Sequence, residues 1–156
     1  MIHKSKVRTC FWFEKGGLEA AKFYVGLLPD SGIDAVYEHG NPDDPMVVEF
    51  TIHGAPMMIL TAGPHYKLTS AASISVLTKD QDETDQLWAA LLRDGGREGM
   101  CGWLVDRYGL SWQIVPEALP RRLGAPDRAA AARAQDAMMR MTKIDIAALE
   151  AAFNDD

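Results

Sequence analysis

Histidine side chains are the first candidates for chemistry in this sequence, because imidazole titrates near neutral pH and can serve as a general base. His53 falls between two apolar runs, in a predicted hairpin turn, where a solvated side chain is the usual outcome. His65 lies in the segment "AGPHYKLT", which connects two apolar regions and could cover a binding face. His65 is therefore retained as a candidate ligand contact, and His53 is expected to be a solvated turn residue.

The two cysteines offer little evidence of catalysis or metal binding. Cys10 and Cys101 lie far apart and belong to no CxxC or Cys/His pattern, so the sequence predicts neither a disulfide framework nor a zinc site. Cys101 has no base close to it in sequence, and a small buried thiol is the usual state of such a residue. No Ser/His/Asp set can be assembled from the sequence alone, so no catalytic residue is predicted.

Composition and charge argue against two classes of partner. The 156 residues include 16 Lys and Arg against 22 Asp and Glu, a formal charge of −6, and no Lys/Arg-rich run occurs. The electrostatic footprint of a nucleic-acid-binding protein is therefore missing. No apolar stretch approaches the roughly 18 residues of a membrane span, and the N-terminus lacks the pattern of a signal peptide. We expect a cytoplasmic protein with one domain, 1–156.

The elements that position these residues follow from local patterns. In the first module, residues 7–62, a β-branched and aromatic run ends at Gly16 and Gly17, and a helical spacing of apolar residues follows it. Three short apolar runs separated by turn residues come next. The predicted elements are a strand at Val7–Phe13, a helix at Leu18–Leu28, and strands at Ile33–Tyr37, Met46–Ile52 and Pro56–Thr61.

The same order of elements is predicted again in a second module, residues 72–116. Its predicted elements are a strand at Ala72–Leu77, a helix at Asp82–Arg93, and strands near Arg97–Met100, Gly102–Asp106 and Ser111–Val115. A shift of 64 residues places Thr9 over Ser73 and aligns the apolar faces of the two helices. A shift of 55 residues aligns "HGAPMMIL" with "YGLSWQIV" and places Met58 over Gln113.

A tandem βαβββ repeat leaves one face of each sheet free of its helix, and two such halves are expected to curve into a partly closed cup. Because side chains alternate along a strand, one set is assigned to the cup face and the other to the helix-packed face. The cup face is predicted to hold Thr9, Phe11, Phe13, Met58, Leu60, Ser73, Ser75, Ser111 and Gln113. The helix-packed face is predicted to hold Cys10, Trp12, Ile74, Trp112 and Ile114. The alternative that the cup face is simply core stays open.

After Pro116 the sequence becomes Ala-rich and predicts two appended helices, Asp127–Met141 and Asp145–Phe153, in the extension 117–156. Ala134, Met138 and Met141 form a stripe that is expected to pack on the body of the protein or on a second subunit. This stripe is the predicted surface of a two-fold homodimer.

Four stretches of the sequence together resemble a known family: "CFWFEKGGLEAAKFYVGLLPDS", "VVEFTIHGAPMMIL", "CGWLVDRYGLSWQIVP" and "MTKIDIAALEAAF". They are similar to the PhnB-like branch of the vicinal oxygen chelate superfamily, relatives of glyoxalase and bleomycin-resistance proteins, in a subgroup labelled 3-demethylubiquinone-9 3-methyltransferase. The resemblance covers nearly the whole chain. It implies an α+β glyoxalase-like fold of paired βαβββ modules, which agrees with the repeat.

The resemblance also raises the question of a metal. In metal-using members of the superfamily the ligands, His and Glu, lie on the first and last strands of each module. By the repeat alignment these four positions are Thr9, Met58, Ser73 and Gln113, and none is a strong ligand for a divalent ion. Gln113 stands where the family often has glutamate, so we expect it to keep the position without metal chemistry. No cofactor is predicted.

The methyltransferase label meets a physical objection, because the sequence has no G-x-G-x-x-G turn and no long βα alternation to hold S-adenosylmethionine. We therefore expect a small-molecule-binding protein that uses no metal. Two alternatives remain open: a metal-dependent lyase, isomerase or dioxygenase that uses other residues such as His65 or Glu49, and a structural homodimer with a vestigial pocket.

Overall fold

The computed structural model describes residues 5–156, and the chain divides into two compact units, 1–68 and 69–156. The expectations for the first four residues lie outside the described part. The boundary falls in the connection predicted between the two modules. Among the described residues, no helix has the length and apolar character needed to cross a bilayer.

Unit 1 contains a four-stranded mixed sheet with one helix. Its elements are β1 (Thr9–Phe13), α1 (Gly17–Val25), β2 (Gly32–Tyr37), β3 (Val47–Ile52) and β4 (Ala55–Thr61). The strand order is β1-β4-β3-β2, with β1 parallel to β4 and the other pairs antiparallel. The predicted βαβββ order is confirmed, although α1 ends three residues before the predicted Leu28.

Unit 2 repeats this arrangement and adds the C-terminal helices. Its elements are β5 (Ser73–Thr78), α2 (Gln81–Leu92), β6 (Arg97–Glu98), β7 (Trp103–Val105), β8 (Ser111–Pro116), α3 (Ala118–Leu123), α4 (Arg128–Met138) and α5 (Ile146–Asn154). The order β5-β8-β7-β6, with β5 parallel to β8, matches that of unit 1. The α+β class is confirmed. The short helix α3 was not predicted.

Gly17 permits close packing of α1 on the sheet of unit 1. A Cβ atom at this position would lie 2.7 Å from a methyl carbon of Ile59 and 2.1 Å from the hydroxyl of Thr61. Any side chain would therefore push the helix away from β4. The sequence pattern explained Gly17 only as a strand breaker, whereas the structure shows that it is a packing residue.

Asp106 organises the turn between β7 and β8. Its Oδ1 accepts hydrogen bonds from the backbone N–H groups of Tyr108 and Leu110 at 2.8 and 3.1 Å, and its Oδ2 accepts one from the indole N–H of Trp112 at 2.9 Å. Both Asp106 and Trp112 are buried. Because a buried carboxylate must be hydrogen-bonded, these contacts fix the start of β8 and the side chains that follow.

The C-terminal helices pack on one another. Ala134, Leu119, Ile144 and Leu149 form a buried cluster, against which Met138 and Met141 also pack. Each of the two longer helices begins at an aspartate whose side chain accepts a backbone N–H of the first turn. The Ala/Met stripe thus packs against other residues of the same chain. Of the two predicted placements of the stripe, packing on the body of the protein is confirmed, since α3 and α5 cover Ala134, and Met138 and Met141 pack against the same cluster.

Candidate functional site

We call the surface of each sheet that is opposite its own module helix, α1 or α2, the distal face of that unit. In unit 2 the helix-packed side holds Ile74, Trp112 and Ile114, all buried. The distal face of unit 2 consists of Ser73, Ser75, Leu77, Trp103, Val105, Ser111, Gln113 and Val115. The strand parity predicted for the second module agrees with this arrangement.

Hydrogen bonds hold the polar groups of this face in place. Gln113 donates from Nε2 to the hydroxyl of Ser73 at 2.8 Å, across the parallel pair β5 and β8. The hydroxyl of Ser111 lies 3.1 Å from that of Ser70, in the segment preceding β5. Ser75 pairs in register with Gln113 and is exposed, as is Leu77 with 61% of its surface. The face combines fixed polar groups with accessible apolar ones.

A pocket of about 270 Å³ opens beside β6 and β7, at the edge of this sheet. Its lining includes Ser70, Arg97 and Trp103. Arg97 pairs with Val105, which pairs with Ser111, so the Arg97 side chain starts on the distal face. Sequence reasoning missed both residues. Trp103 could have been found, because the alternation of side chains along the hairpin around Gly109 places it on the same face as Gln113. Arg97 lies outside that hairpin, on the two-residue strand β6.

In unit 1 the predicted faces were wrong for β1. Phe11 pairs with Ile59, which packs against Gly17 of α1, so Phe11 and Phe13 belong to the helix-packed core and are buried. Thr9 has the same parity. The predicted cup residues Thr9, Phe11 and Phe13 therefore lie on the side opposite the one that holds Met58 and Leu60. Cys10 and Trp12, predicted to pack under a helix, pair with Met58 and Leu60 and share the distal face with them.

The error has a physical origin in one connection. Three residues, 14–16, join β1 to α1, whereas two residues, 79–80, join β5 to α2. The shift of 64 residues aligns the helices, but the strand pairings require a shift of 65, with Thr9 over Ile74 and Cys10 over Ser75. Because side chains alternate with a period of two, a slip of one residue moves a whole strand to the opposite face.

The polar groups on the distal face of unit 1 satisfy one another. Glu49, which pairs with Met58, is buried and forms an ion pair with Arg8. The hydroxyl of Tyr37 lies 3.4 Å from the same carboxylate. Glu49, proposed from sequence as an alternative metal ligand, is therefore already neutralised by a guanidinium.

His65 lies in an aromatic group at the end of this face. The ring of Trp12 meets that of Tyr66 edge-on, with centroids 4.9 Å apart, and that of His65 with centroids 6.4 Å apart. Trp12 also donates from its indole nitrogen to the carbonyl of Gly63 at 2.9 Å. These contacts fold the connection after β4 back onto β1. His53, by contrast, is an exposed turn residue with a φ of 44°, as expected.

The resemblance to metal-using members of the superfamily implied four ligand positions, and the residues at these positions in this chain do not suit a hard divalent ion. With the corrected alignment these positions are Cys10, Met58, Ser75 and Gln113. Only the thiol could become an anionic ligand, and desolvation raises the pKa of Cys10 despite the opposing hydrogen bond from the Leu60 backbone and the charge of Arg8. The described residues contain no group of three His, Cys, Asp or Glu side chains placed to share an ion.

A larger pocket, of about 490 Å³, lies where α2, α3 and α5 converge. Two of its carboxylates, Asp80 and Asp145, cap α2 and α5, and a third, Glu150, binds Arg122 at 2.6 Å. The side-chain amide of Gln81 joins the two helices, accepting from the N–H of Ile146 and donating to the carbonyl of Ile144. The acidic groups of this pocket thus stabilise α2 and the C-terminal helices.

A comparison with protein families shows to which family the chain belongs. The sequence profile of the 3-demethylubiquinone-9 3-methyltransferase family matches residues 5–115, which include both βαβββ modules. The chain belongs to this family. A comparison with curated protein sequences found no match.

Solved structures agree with the family and define the fold. A PhnB protein from Bacillus cereus, described as a proposed 3-demethylubiquinone-9 3-methyltransferase, is 27% identical, with a TM-score of 0.66 over 72% of this chain and 99% of that chain. Protein PA1353 from Pseudomonas aeruginosa is 19% identical, with a TM-score of 0.61 over 73% and 98% of the two chains. The fosfomycin resistance protein FosX from Mesorhizobium loti is 17% identical, with a TM-score of 0.56 over 80% and 100%. This family member has the glyoxalase/bleomycin-resistance fold of the vicinal oxygen chelate superfamily.

Proposed function

We propose that the protein binds a small organic ligand, without a metal, on the distal face of unit 2. The observation that carries this proposal is the hydrogen bond from Gln113 to Ser73, which presents an oriented amide on a face where Ser75 and Leu77 are exposed. A few fixed polar groups among apolar ones are typical of ligand sites. The Gln113 amide and the hydroxyls of Ser73 and Ser75 supply the hydrogen bonds, and Trp103 and Leu77 supply apolar contact.

The remaining predicted contacts, Met58, Leu60 and His65, stay a prediction for the distal face of unit 1. Thr9, Phe11 and Phe13 are withdrawn from the proposed site, because Phe11 and Phe13 are buried in the core under α1 and the exposed Thr9 lies on the same side of the sheet. Methyl transfer, which the family description names, is not part of the proposal. Neither described sheet contains more than one parallel strand pair, so neither resembles the doubly wound sheet that commonly holds S-adenosylmethionine.

The test is a fragment screen on the isotopically labelled full chain, using a library of single-ring compounds observed by NMR. We expect some fragments to shift the side-chain amide of Gln113 and the indole signal of Trp103. Gln113→Leu should weaken their binding by roughly tenfold, because an oriented hydrogen-bonding group is lost.

Gln135→Leu is the matched control, since Gln135 is an exposed residue of α4 outside the distal face. It should leave the affinities unchanged. If no fragment shifts the signals of Gln113 or Trp103, or if Gln113→Leu binds as well as wild type, the proposed site is wrong.

The homodimer also stays a proposal, now without the Ala/Met stripe. Its support is the resemblance to the superfamily together with the edge strand β2, where Val36 and Tyr37 are 37% and 47% exposed. Unpaired edge strands are common sites of association. Light scattering at micromolar concentration should give twice the chain mass of 17.2 kDa. A mass equal to that of one chain would rule out the dimer.

A further inference from the structure

The edge pocket beside β6 and β7 contains a cation that none of the residues 5–156 neutralises. Arg97 lines this pocket of about 270 Å³, and its side chain has no hydrogen-bonding or ionic partner among the described residues. Other arginines in unit 2 do have partners: Arg122 binds Glu150, and Arg107 binds Asp94. Arg97 thus places at the cavity a guanidinium that pairs with no carboxylate among the described residues.

The one acidic residue in the lining does not supply the missing partner. Glu98 pairs in register with Leu104, a buried residue of the helix-packed side, so its side chain starts on the face opposite that of Arg97. There its Oε1 accepts a hydrogen bond from the indole N–H of Trp88 at 3.0 Å. The alternation of β6 therefore separates the two charges, leaving Arg97 on the distal face and Glu98 on the other.

Hydroxyl groups continue the polar surface from Arg97 toward the proposed ligand contacts. One cross-strand row contains Arg97, Val105, Ser111 and Ser73. Ser70, which lies 3.1 Å from the Ser111 hydroxyl, also lines the pocket. The indole of Trp103 forms an apolar part of the wall. A planar guanidinium beside hydroxyls and an aromatic ring is suited to an oxyanion attached to a flat apolar group.

We infer that this edge pocket binds the carboxylate of a small, single-ring organic acid, with Arg97 as its counter-ion and Ser70 as a neutral donor. The inference rests on the proposed function and names its ligand class. A single unpaired cation balances a monoanion, whereas a phosphate dianion would remain half uncompensated in a chain of net charge −6. The volume lies just below the usual range of drug-sized sites, which favours one ring.

The test compares benzoate, neutral benzamide and phenyl phosphate on the full chain at low salt, with the Trp103 indole and Arg97 Nε signals followed by NMR. We expect benzoate to bind roughly tenfold more tightly than benzamide, and this advantage to shrink as salt is added, because Arg97 is exposed. Arg97→Gln should remove the advantage and leave benzamide binding as it was. Arg140→Gln, which makes the same charge change at an exposed residue outside the pocket, should retain it.

Three outcomes would overturn the inference. Equal affinity for benzoate and benzamide, with both shifting Trp103, would disprove the carboxylate subsite and leave the proposed ligand face standing. Tighter binding of phenyl phosphate than of benzoate would replace the carboxylate with a phosphate-type group. Absence of benzoate binding in a protein that still binds fragments at Gln113 would show that Arg97 is only a solvated surface residue.

Discussion

The distal faces of the two sheets have the same topology and opposite chemistry. In unit 1 the polar side chains bind one another, since Arg8 binds the buried Glu49 and Thr51 donates a hydrogen bond to Asp34. Sulfur, aliphatic and aromatic side chains lie beside them on β1 and β4. In unit 2 the face carries hydroxyls, the Gln113 amide and, at its edge, Arg97, whose side chain has no partner in the described part of the chain. The difference shows that a repeated fold places side chains at equivalent positions without assigning them equivalent roles. Ligand recognition is expected where polar groups remain available, in unit 2.

The largest expected effect is on the free energy of unfolding and tests the core on the helix-packed side of the unit 2 sheet. Trp112→Ala should lower the free energy of unfolding by about 3–5 kcal/mol, because it leaves a large cavity and deprives the Asp106 carboxylate of its indole donor. Trp103→Ala, on the distal face, should cost about 1 kcal/mol or less. Urea denaturation of both variants makes the comparison. Equal losses would contradict the assignment of the two tryptophans to opposite faces.

The second largest effect tests the corrected assignment of the β1 side chains to the two faces of the sheet. Phe11→Ala should cost about 3 kcal/mol, because Phe11 is 5% exposed and packs on the α1 side with Ile59. Cys10→Ala, at the adjacent position on the distal face, should change the free energy of unfolding by less than about 1 kcal/mol. The measurement is again urea denaturation, in which the midpoint concentration should change while the dependence of the free energy of unfolding on urea stays constant. A larger loss for Cys10→Ala would restore the parity predicted from sequence.

A metal-binding test sharpens the comparison of the ligand positions. Elemental analysis of the purified protein should find no stoichiometric divalent ion, because the family's ligand positions lack imidazole and carboxylate. The triple variant Ser75→His, Gln113→His and Trp103→His should bind zinc, since these three residues form one cross-strand row. Ser75→His alone is the control and should remain metal-free. One equivalent of metal in wild type would show that the metal-free proposal is wrong.

The smallest effect concerns Cys10 and pH. Desolvation raises the pKa of its thiol above the ordinary value of 9.0, so the folded state favours the neutral form. Any stability gained in this way is present below pH 9 and is lost as the pH rises through the folded-state pKa. Alkylation by iodoacetamide, followed by mass spectrometry in a Cys101→Ser background, should rise with an inflection above pH 9.0. An inflection below that value would contradict the effect of burial.

Local patterns in the sequence were sufficient for the elements and for part of the site. The tandem βαβββ order, the helix limits of α2 and the distal positions of Ser73, Ser75 and Gln113 follow from periodicity. The face predicted for the β1 residues was wrong. The alignment was set by the helices, and the connections that join these helices to their strands differ in length. Arg97 was missed because a two-residue strand shows no periodicity of its own.

The sequence alone determined the repeat and the family, because both depend on residue types and their order. Only the tertiary structure decided which face each β1 side chain occupies, since one extra residue between β1 and α1 reverses the parity. It also decided that Arg8 neutralises Glu49, whereas the side chain of Arg97 has no partner among residues 5–156. The second outcome depends on the pairing of β6 with β7, which directs Arg97 and Glu98 to opposite faces. The Ala/Met stripe shows the same limit: spacing revealed an apolar face, and only packing showed that α3 and α5 cover it.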